Sequence, residues 1–152
     1  MRTRVPTRLV LLLLAALLPA AAGCSSFQKQ WKRAAVAQAS DQADHLAGRW
    51  KGSWKSDKSG HAGGLRCIAT KTGEDTYRCR FDATYALLLR FGYTMNMTAD
   101  AREDVTYVAG GADLGKTAGG VYEYEGKANG KTFRLNYRTK NDYGHFTLKR
   151  PD

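Results

Sequence analysis

Cysteine, histidine and proline are the scarce residues of this chain, and each scarcity removes a class of structure. Three cysteines in 152 residues are too few for a disulfide scaffold or a four-thiolate zinc site. The three histidines, His45, His61 and His145, lie far apart with no pair at ligand spacing, so no metal or cofactor is expected. Proline is absent between Pro19 and Pro151, and a chain without it loses no backbone donor to an interrupted strand. Acid is short as well, 14 Asp+Glu against 24 Lys+Arg, a formal charge of +10. The longest apolar run, Leu9 to Leu18, is ten residues, where a transmembrane helix needs about 20. What is present, 43% apolar residues, 11% aromatics and 16 glycines, excludes a disordered tail, a collagen repeat and a coiled coil.

Residues 1–23 carry Arg2, Arg4 and Arg8 and no acid, ahead of the apolar run, Pro19 and a string of small residues. That charged, apolar, small order is the layout of a secretory signal. The stretch Ala20-Ala21-Ala22-Gly23-Cys24 resembles the bacterial lipoprotein signal, in which small residues precede a cysteine that is acylated and becomes the new N-terminus. The resemblance implies a diacylglycerol on the Cys24 thiol and an amide-linked palmitate-class chain, more than the two signals that stable membrane attachment requires. Ser25 and Ser26 stand where an aspartate would favour inner-membrane retention, which points to the outer membrane, facing the periplasm. Residues 24–152 then hold 21 basic and 14 acidic side chains, enough chain for one domain.

Residues 24–47 form the anchor and its tether. From Phe27 to Ala47 there is no Gly or Pro, and Ala, Gln and Lys dominate, which predicts a helix. Lys29, Lys32 and Arg33 either add attraction to an anionic membrane surface or are incidental charge on a solvated spacer. From Gly48 the composition changes: 14 of the 16 aromatic residues and 15 of the 16 glycines lie in residues 48–152. Period-two alternation there predicts eight strands, Arg49–Lys55, Leu65–Lys71, Thr76–Thr84, Phe91–Ala99, Val105–Ala109, Val121–Lys127, Thr132–Thr139 and Gly144–Lys149. Short links such as Asn129-Gly130 make consecutive strands antiparallel. Eight short strands leave two costly edges unless they close, so the expected fold is all-β, an eight-stranded antiparallel up-and-down barrel.

The alternation assigns faces. Trp50 and Trp54, Cys67, Tyr77 and Cys79, Tyr93, Tyr107, Tyr122 and Tyr124, and Tyr137 fall on the inward side. Arg49, Lys51, Arg66, Arg78, Arg80, Arg134 and Arg138 fall on the outward side. The start Gly48-Arg49-Trp50-Lys51-Gly52-Ser53-Trp54 resembles the Gly-x-Trp opening of lipocalins and related calycins, here doubled. In that superfamily the tryptophan closes one end of the barrel and a basic residue near the chain end packs on it, a place that Lys149 or Arg150 would fill. The chain stops after the eighth strand, without the C-terminal helix of true lipocalins. The opening, with Gly144-His145-Phe146 near the end, is also similar to that of uncharacterised bacterial lipoproteins, which implies location and fold.

Catalytic patterns find no support, and no enzyme is expected. Asp142-x-x-His145 has no activated serine or spare cysteine to complete a triad. Glu123 and Glu125 point outward, and the Gly60–Gly64 loop lacks the Lys-Ser/Thr of a phosphate loop. Cys67 and Cys79 are symmetric about Gly73, so a hairpin turning there would set them opposite each other, as a disulfide or as two buried thiols.

Two binding readings result. Trp50, Trp54, Tyr77, Tyr93, Tyr107, Tyr122, Tyr124 and Tyr137 would give an interior apolar in body but rich in hydroxyls. It is either filled by its own side chains or holds a small apolar or amphipathic ligand. The loop Tyr85-Ala86-Leu87-Leu88-Leu89 is apolar where a polar one is expected, and would line the mouth, cap the core or dip into a membrane. Alternatively the outward set Arg49, Lys51, Arg66, Arg78, Arg80, Arg134 and Arg138 would contact anionic envelope components such as lipopolysaccharide or lipid head groups. Nucleic acid is not an expected partner in that compartment.

Overall fold

The computed structural model describes residues 26–36, 44–86 and 88–152. Cys24, the leader and residues 37–43 of the expected helix lie outside that range. Helix α1 spans residues 26–36. It precedes β1 (Gly48–Ser56), β2 (Ala62–Lys71), β3 (Thr76–Tyr85), β4 (Leu89–Arg102), β5 (Val105–Asp113), β6 (Val121–Ala128), β7 (Thr132–Arg138) and β8 (Tyr143–Lys149). Each strand pairs antiparallel with the next, and β8 closes on β1 through Lys51↔Lys149 to Ser56↔Gly144. Closure gives every strand a partner on both sides, with residues 89–95 of β4 paired to β3 alone. The expected barrel and its strand order are present, and no helix among the described residues is long and apolar enough to cross a membrane.

Seven of the eight strands run longer than their alternation suggested, and β7 ends one residue earlier, at Arg138. β2 begins at Ala62, so Gly63 and Gly64 belong to a strand rather than a loop. Gly63 faces inward opposite Trp54, and a Cβ there would collide with the Thr84 carbonyl and come within 2.7 Å of the Trp54 indole nitrogen. Glycine lets two backbones approach at that point. β4 and β5 extend to Arg102 and Asp113 and turn at Glu103, which adopts a left-handed φ of 43°.

One end of the barrel is closed. Trp50 is 0% exposed; its indole donates to the Leu46 carbonyl at 2.8 Å, and its ring packs on Phe133. Arg150 lies over the opposite face of that end, with its guanidinium carbon 3.8 Å from the Trp50 ring centroid. It donates to the carbonyls of Ala47 at 2.6 Å and Gly130 at 3.1 Å. Lys149, the other residue expected to fill this place, is exposed. The Asp44 carboxylate accepts from the amides of Leu46 and Ala47 and from the Tyr77 hydroxyl, which fixes the segment entering β1. Leu46, Cys67, Cys79, Met97, Leu135 and Leu148 fill the space behind. Trp50 and Tyr77 therefore belong to a solid plug, and the expectation that they line a ligand site is corrected.

The same end settles the cysteines. The hairpin pairs Cys67 with Phe81 and Ala69 with Cys79, so the turn is centred one residue later than Gly73 and the two cysteines are diagonal neighbours. Diagonal positions lie about 7–8 Å apart, beyond comfortable disulfide reach. Both are buried free thiols, and burial, reinforced by Cys79, pushes the Cys67 thiol well up.

Helix α1 is not a free tether. Phe27 and Trp31 are buried against Ile68 on the outside of β2. The arginines expected to make a basic face become their cover. Arg66 lies 4.9 Å from the Phe27 ring centroid and Arg80 at 5.4 Å, and Arg49 sits 5.5 Å from Trp31. Arg80 donates to Gln30 and Ser26, and Arg66 to Gln28 and Asp82. The helix thus crosses from β3 at its start to β1, and Arg49, Arg66 and Arg80 are withdrawn from the exposed set. Lys51, Arg78, Arg134 and Arg138 are exposed on the outer surface.

Candidate functional site

The opposite end of the barrel is a cup. Its volume is about 540 Å³, and its wall is built from residues near the ends of β1, β3 and β7 and the starts of β2, β4, β6 and β8, with Leu114, Thr117 and Gly119 of the β5–β6 connection. The inward positions at this end alternate large with very small. Gly110 stands opposite Tyr124, Ala112 opposite Tyr122, and Gly144 opposite both Ser56 and Tyr137. Directly opposed residues share a face, so each small residue leaves room beside a ring.

Trp54, Tyr93, Tyr122, Tyr124 and Tyr137 line the cup, as the alternation implied. Tyr107 does not. On β5 the inward residues are Thr106 and Val108, both buried, while Tyr107 is 46% exposed on the outside with Arg102 stacked 5.2 Å from its ring centroid. The β5–β6 register requires this, because Val108 pairs with Gly126 and Gly110 with the inward Tyr124. Assigning β5 by its aromatic residue put the strand out of phase by one. Tyr107 lines instead a concavity of about 630 Å³ on the outer surface, beside Glu125, Lys127 and Arg134. That trough lies outside the barrel and mixes charges of both signs; the cup lies at the barrel's open end and has the aromatic walls of a ligand site.

The rings of the cup form two groups. Trp54 stacks on Tyr85 at 6.0 Å, and its indole donates to the Thr84 carbonyl. Tyr93 stacks on Phe81 at 5.0 Å and on Tyr124 at 6.4 Å. Tyr122, Tyr124, Tyr137 and Phe146 continue around the wall at centroid distances of 5.5–6.4 Å. The Tyr124 hydroxyl donates to that of Tyr93 at 3.3 Å. Burial raises the Tyr93, Tyr124 and Tyr122 hydroxyls above their ordinary range, and burial followed by the Asp142 contact raises Tyr137.

Asp142 is the residue that sequence reasoning missed. It was weighed only as a partner of His145, but His145 points outward and meets Asp57 at 3.0 Å. Asp142, in the β7–β8 loop, turns into the cup. Its carboxylate accepts the Ser56 hydroxyl at 2.6 Å, the Tyr137 hydroxyl at 3.0 Å and the Tyr143 amide at 2.9 Å. The inward phase of Ser56 on β1 was readable; the loop conformation that brings Asp142 over it was not. His61 stands at the mouth, edge-on to Tyr85 at 5.3 Å. The rim is apolar, with Leu88 and Leu89 88% and 64% exposed and Phe91 beside them. Of the three roles open to that loop, lining the mouth is the one seen, through Tyr85 and Phe91.

Fold and site together define an eight-stranded antiparallel barrel of lipocalin-like architecture, plugged at one end and open at the other onto an aromatic cavity. Comparison with protein-family models, with curated proteins and with solved structures gives no match.

Proposed function

We propose that the protein is an envelope lipoprotein, held at the periplasmic side of the outer membrane by lipid on Cys24, that binds a small apolar or amphipathic molecule in the cup. The observation that carries the binding half is the cavity itself: about 540 Å³, lined largely by aromatic rings, with a few hydroxyls and one carboxylate among them. Sites that take small organic molecules have this size and this ratio of apolar wall to polar contact. Two further features support it. The plugged end gives the cup a floor, and the exposed Leu88 and Leu89 offer an apolar approach to its mouth.

The test is displacement of an environment-sensitive apolar dye, together with mass spectrometry of an organic extract of the purified protein. Ala83 lines the cup, so Ala83→Phe should fill it and weaken dye binding at least about tenfold. Dye binding unchanged in that variant would place the ligand elsewhere. The anchor is tested separately, by metabolic incorporation of a labelled fatty acid that Cys24→Ser should abolish. The other reading, contact of the outer basic surface with anionic envelope lipids, is narrowed to Lys51, Arg78, Arg134 and Arg138 by the docking of α1. It predicts liposome binding that fades with added salt, which binding of an uncharged molecule in the cup does not share.

A further inference from the structure

The charge of the cup is opposite to that of the chain. In a protein with 24 Lys+Arg and 14 Asp+Glu, no arginine or lysine is among the described residues that line the cavity, and its carboxylate is Asp142. The donors that reach this carboxylate are neutral: the Ser56 and Tyr137 hydroxyls and the Tyr143 amide. The Lys58 ammonium, on the neighbouring β1–β2 loop, donates to the Asn141 carbonyl. Hydrogen bonds from neutral groups hold the carboxylate in place without neutralising it. Around it stand Trp54, Tyr93, Tyr122, Tyr124 and Tyr137, aromatic rings of the kind that attract cations. The field extends across the space, since the Asp142 charge adds to burial in raising Tyr122 as well as Tyr137.

We infer that the cup selects organic cations, molecules carrying an ammonium group on an apolar body, with the ammonium against Asp142 and the body against the rings. This rests on the reading of the cup as a binding site and names the class of ligand it takes. An anion would be repelled by the carboxylate, and a neutral molecule would leave it without a counter-charge. An organic cation supplies that charge and an apolar body for the aromatic walls.

The experiment compares benzyltrimethylammonium with its uncharged carbon isostere, neopentylbenzene, as competitors of the apolar dye on the intact protein. The two have nearly the same shape, so area burial cancels. The cation should bind at least about tenfold tighter. Asp142→Asn should remove about tenfold of the cation's affinity while leaving the isostere within about twofold. If that variant does not fold, the wild-type protein still decides, because added salt should weaken the cation alone. Equal displacement by the two, or preference for the isostere, overturns the cation assignment and leaves the cup as a site for neutral ligands. If neither displaces the dye and Ala83→Phe leaves dye binding intact, the cup reading itself is refuted and the assignment falls with it.

Discussion

Truncating Arg150 to alanine is the sharpest test of how the closed end is held. The guanidinium makes two short bonds, to the carbonyls of Ala47 and Gly130, and longer ones at 3.4 Å to Asp44, His45 and Arg49. Hydrogen bonds from a charged donor contribute about 1.5–3 kcal/mol each, and a desolvated cation over an indole about 2 kcal/mol. Against this stands the cost of desolvating the guanidinium, seen in the pull of burial on its pKa, which brings it down to about 10. With half the gross gain cancelled, Arg150→Ala should destabilise the protein by about 3–4 kcal/mol. Arg150→Lys should recover less than half, because an ammonium cannot serve carbonyls from two chain segments as a planar fork can. Arg150→Met should restore the cover of Trp50 but not the bonds, and fall between. Urea unfolding followed by far-UV circular dichroism measures all three. A loss below about 1 kcal/mol for Arg150→Ala, on a scale where surface changes stay within about 0.5 kcal/mol, would mean that the barrel end is sealed by Trp50 and Phe133 alone.

Three further outcomes follow from the same geometry. The raised hydroxyls of Tyr93, Tyr122, Tyr124 and Tyr137 keep their protons in the fold when the unfolded chain begins to lose them near pH 10. Their contribution is complete below that pH and disappears as pH rises toward the folded values, so stability should fall steeply above about pH 10, and ultraviolet phenolate absorbance should show these four titrating only with unfolding; ionisation of all tyrosines in the native state near pH 10 would contradict it. Trp31→Ala removes the larger anchor of α1 and should free the helix at a cost of about 2–3 kcal/mol of docking, read as rapid proteolysis within residues 26–36 while the barrel survives; unchanged protection would mean that Phe27 suffices. Cys67 and Cys79 should resist a thiol reagent in the native protein and react together after denaturation, and fast native labelling of either would show that the plug opens.

The barrel was legible because its signal is redundant. Eight alternating segments, no interrupting proline and short turns all point to one closed sheet, and errors of up to four residues at strand ends do not alter which strands pair. The closed end was legible through Trp50 and a basic residue at the chain end, although choosing Arg150 over Lys149 required the phase of β8, where Leu148 points in and Lys149 out. The site was less legible for two physical reasons. Phase fails where a strand holds one conspicuous residue among small ones, as in Val105–Asp113, where Gly110 and Ala112 mark the inward side more reliably than Tyr107 does. Loops and surface docking carry no period at all, so the turn of Asp142 into the cup and the laying of Phe27 and Trp31 under three arginines could not be read from spacing.

That docking also bears on how the cup meets its surroundings. Helix α1 starts at Ser26, bonded to Arg80 on β3, two residues after the cysteine proposed to carry lipid. Two residues span at most about 7 Å, so a lipid on Cys24 would hold the barrel by the β3 side and close to the bilayer, where a free 20-residue tether would not. The apolar rim formed by Tyr85, Leu88 and Leu89 ends β3 and begins β4, on that same side and at the open end. With lipid on Cys24, anchor, helix and rim would act on one flank of the barrel. Freeing α1 by Trp31→Ala should then slow the transfer of a membrane-dissolved amphiphile into the cup while leaving its affinity for the same molecule in solution unchanged. If uptake from vesicles is as fast with the helix undocked, the rim has no part in delivery, and the helix serves only to cover Ile68.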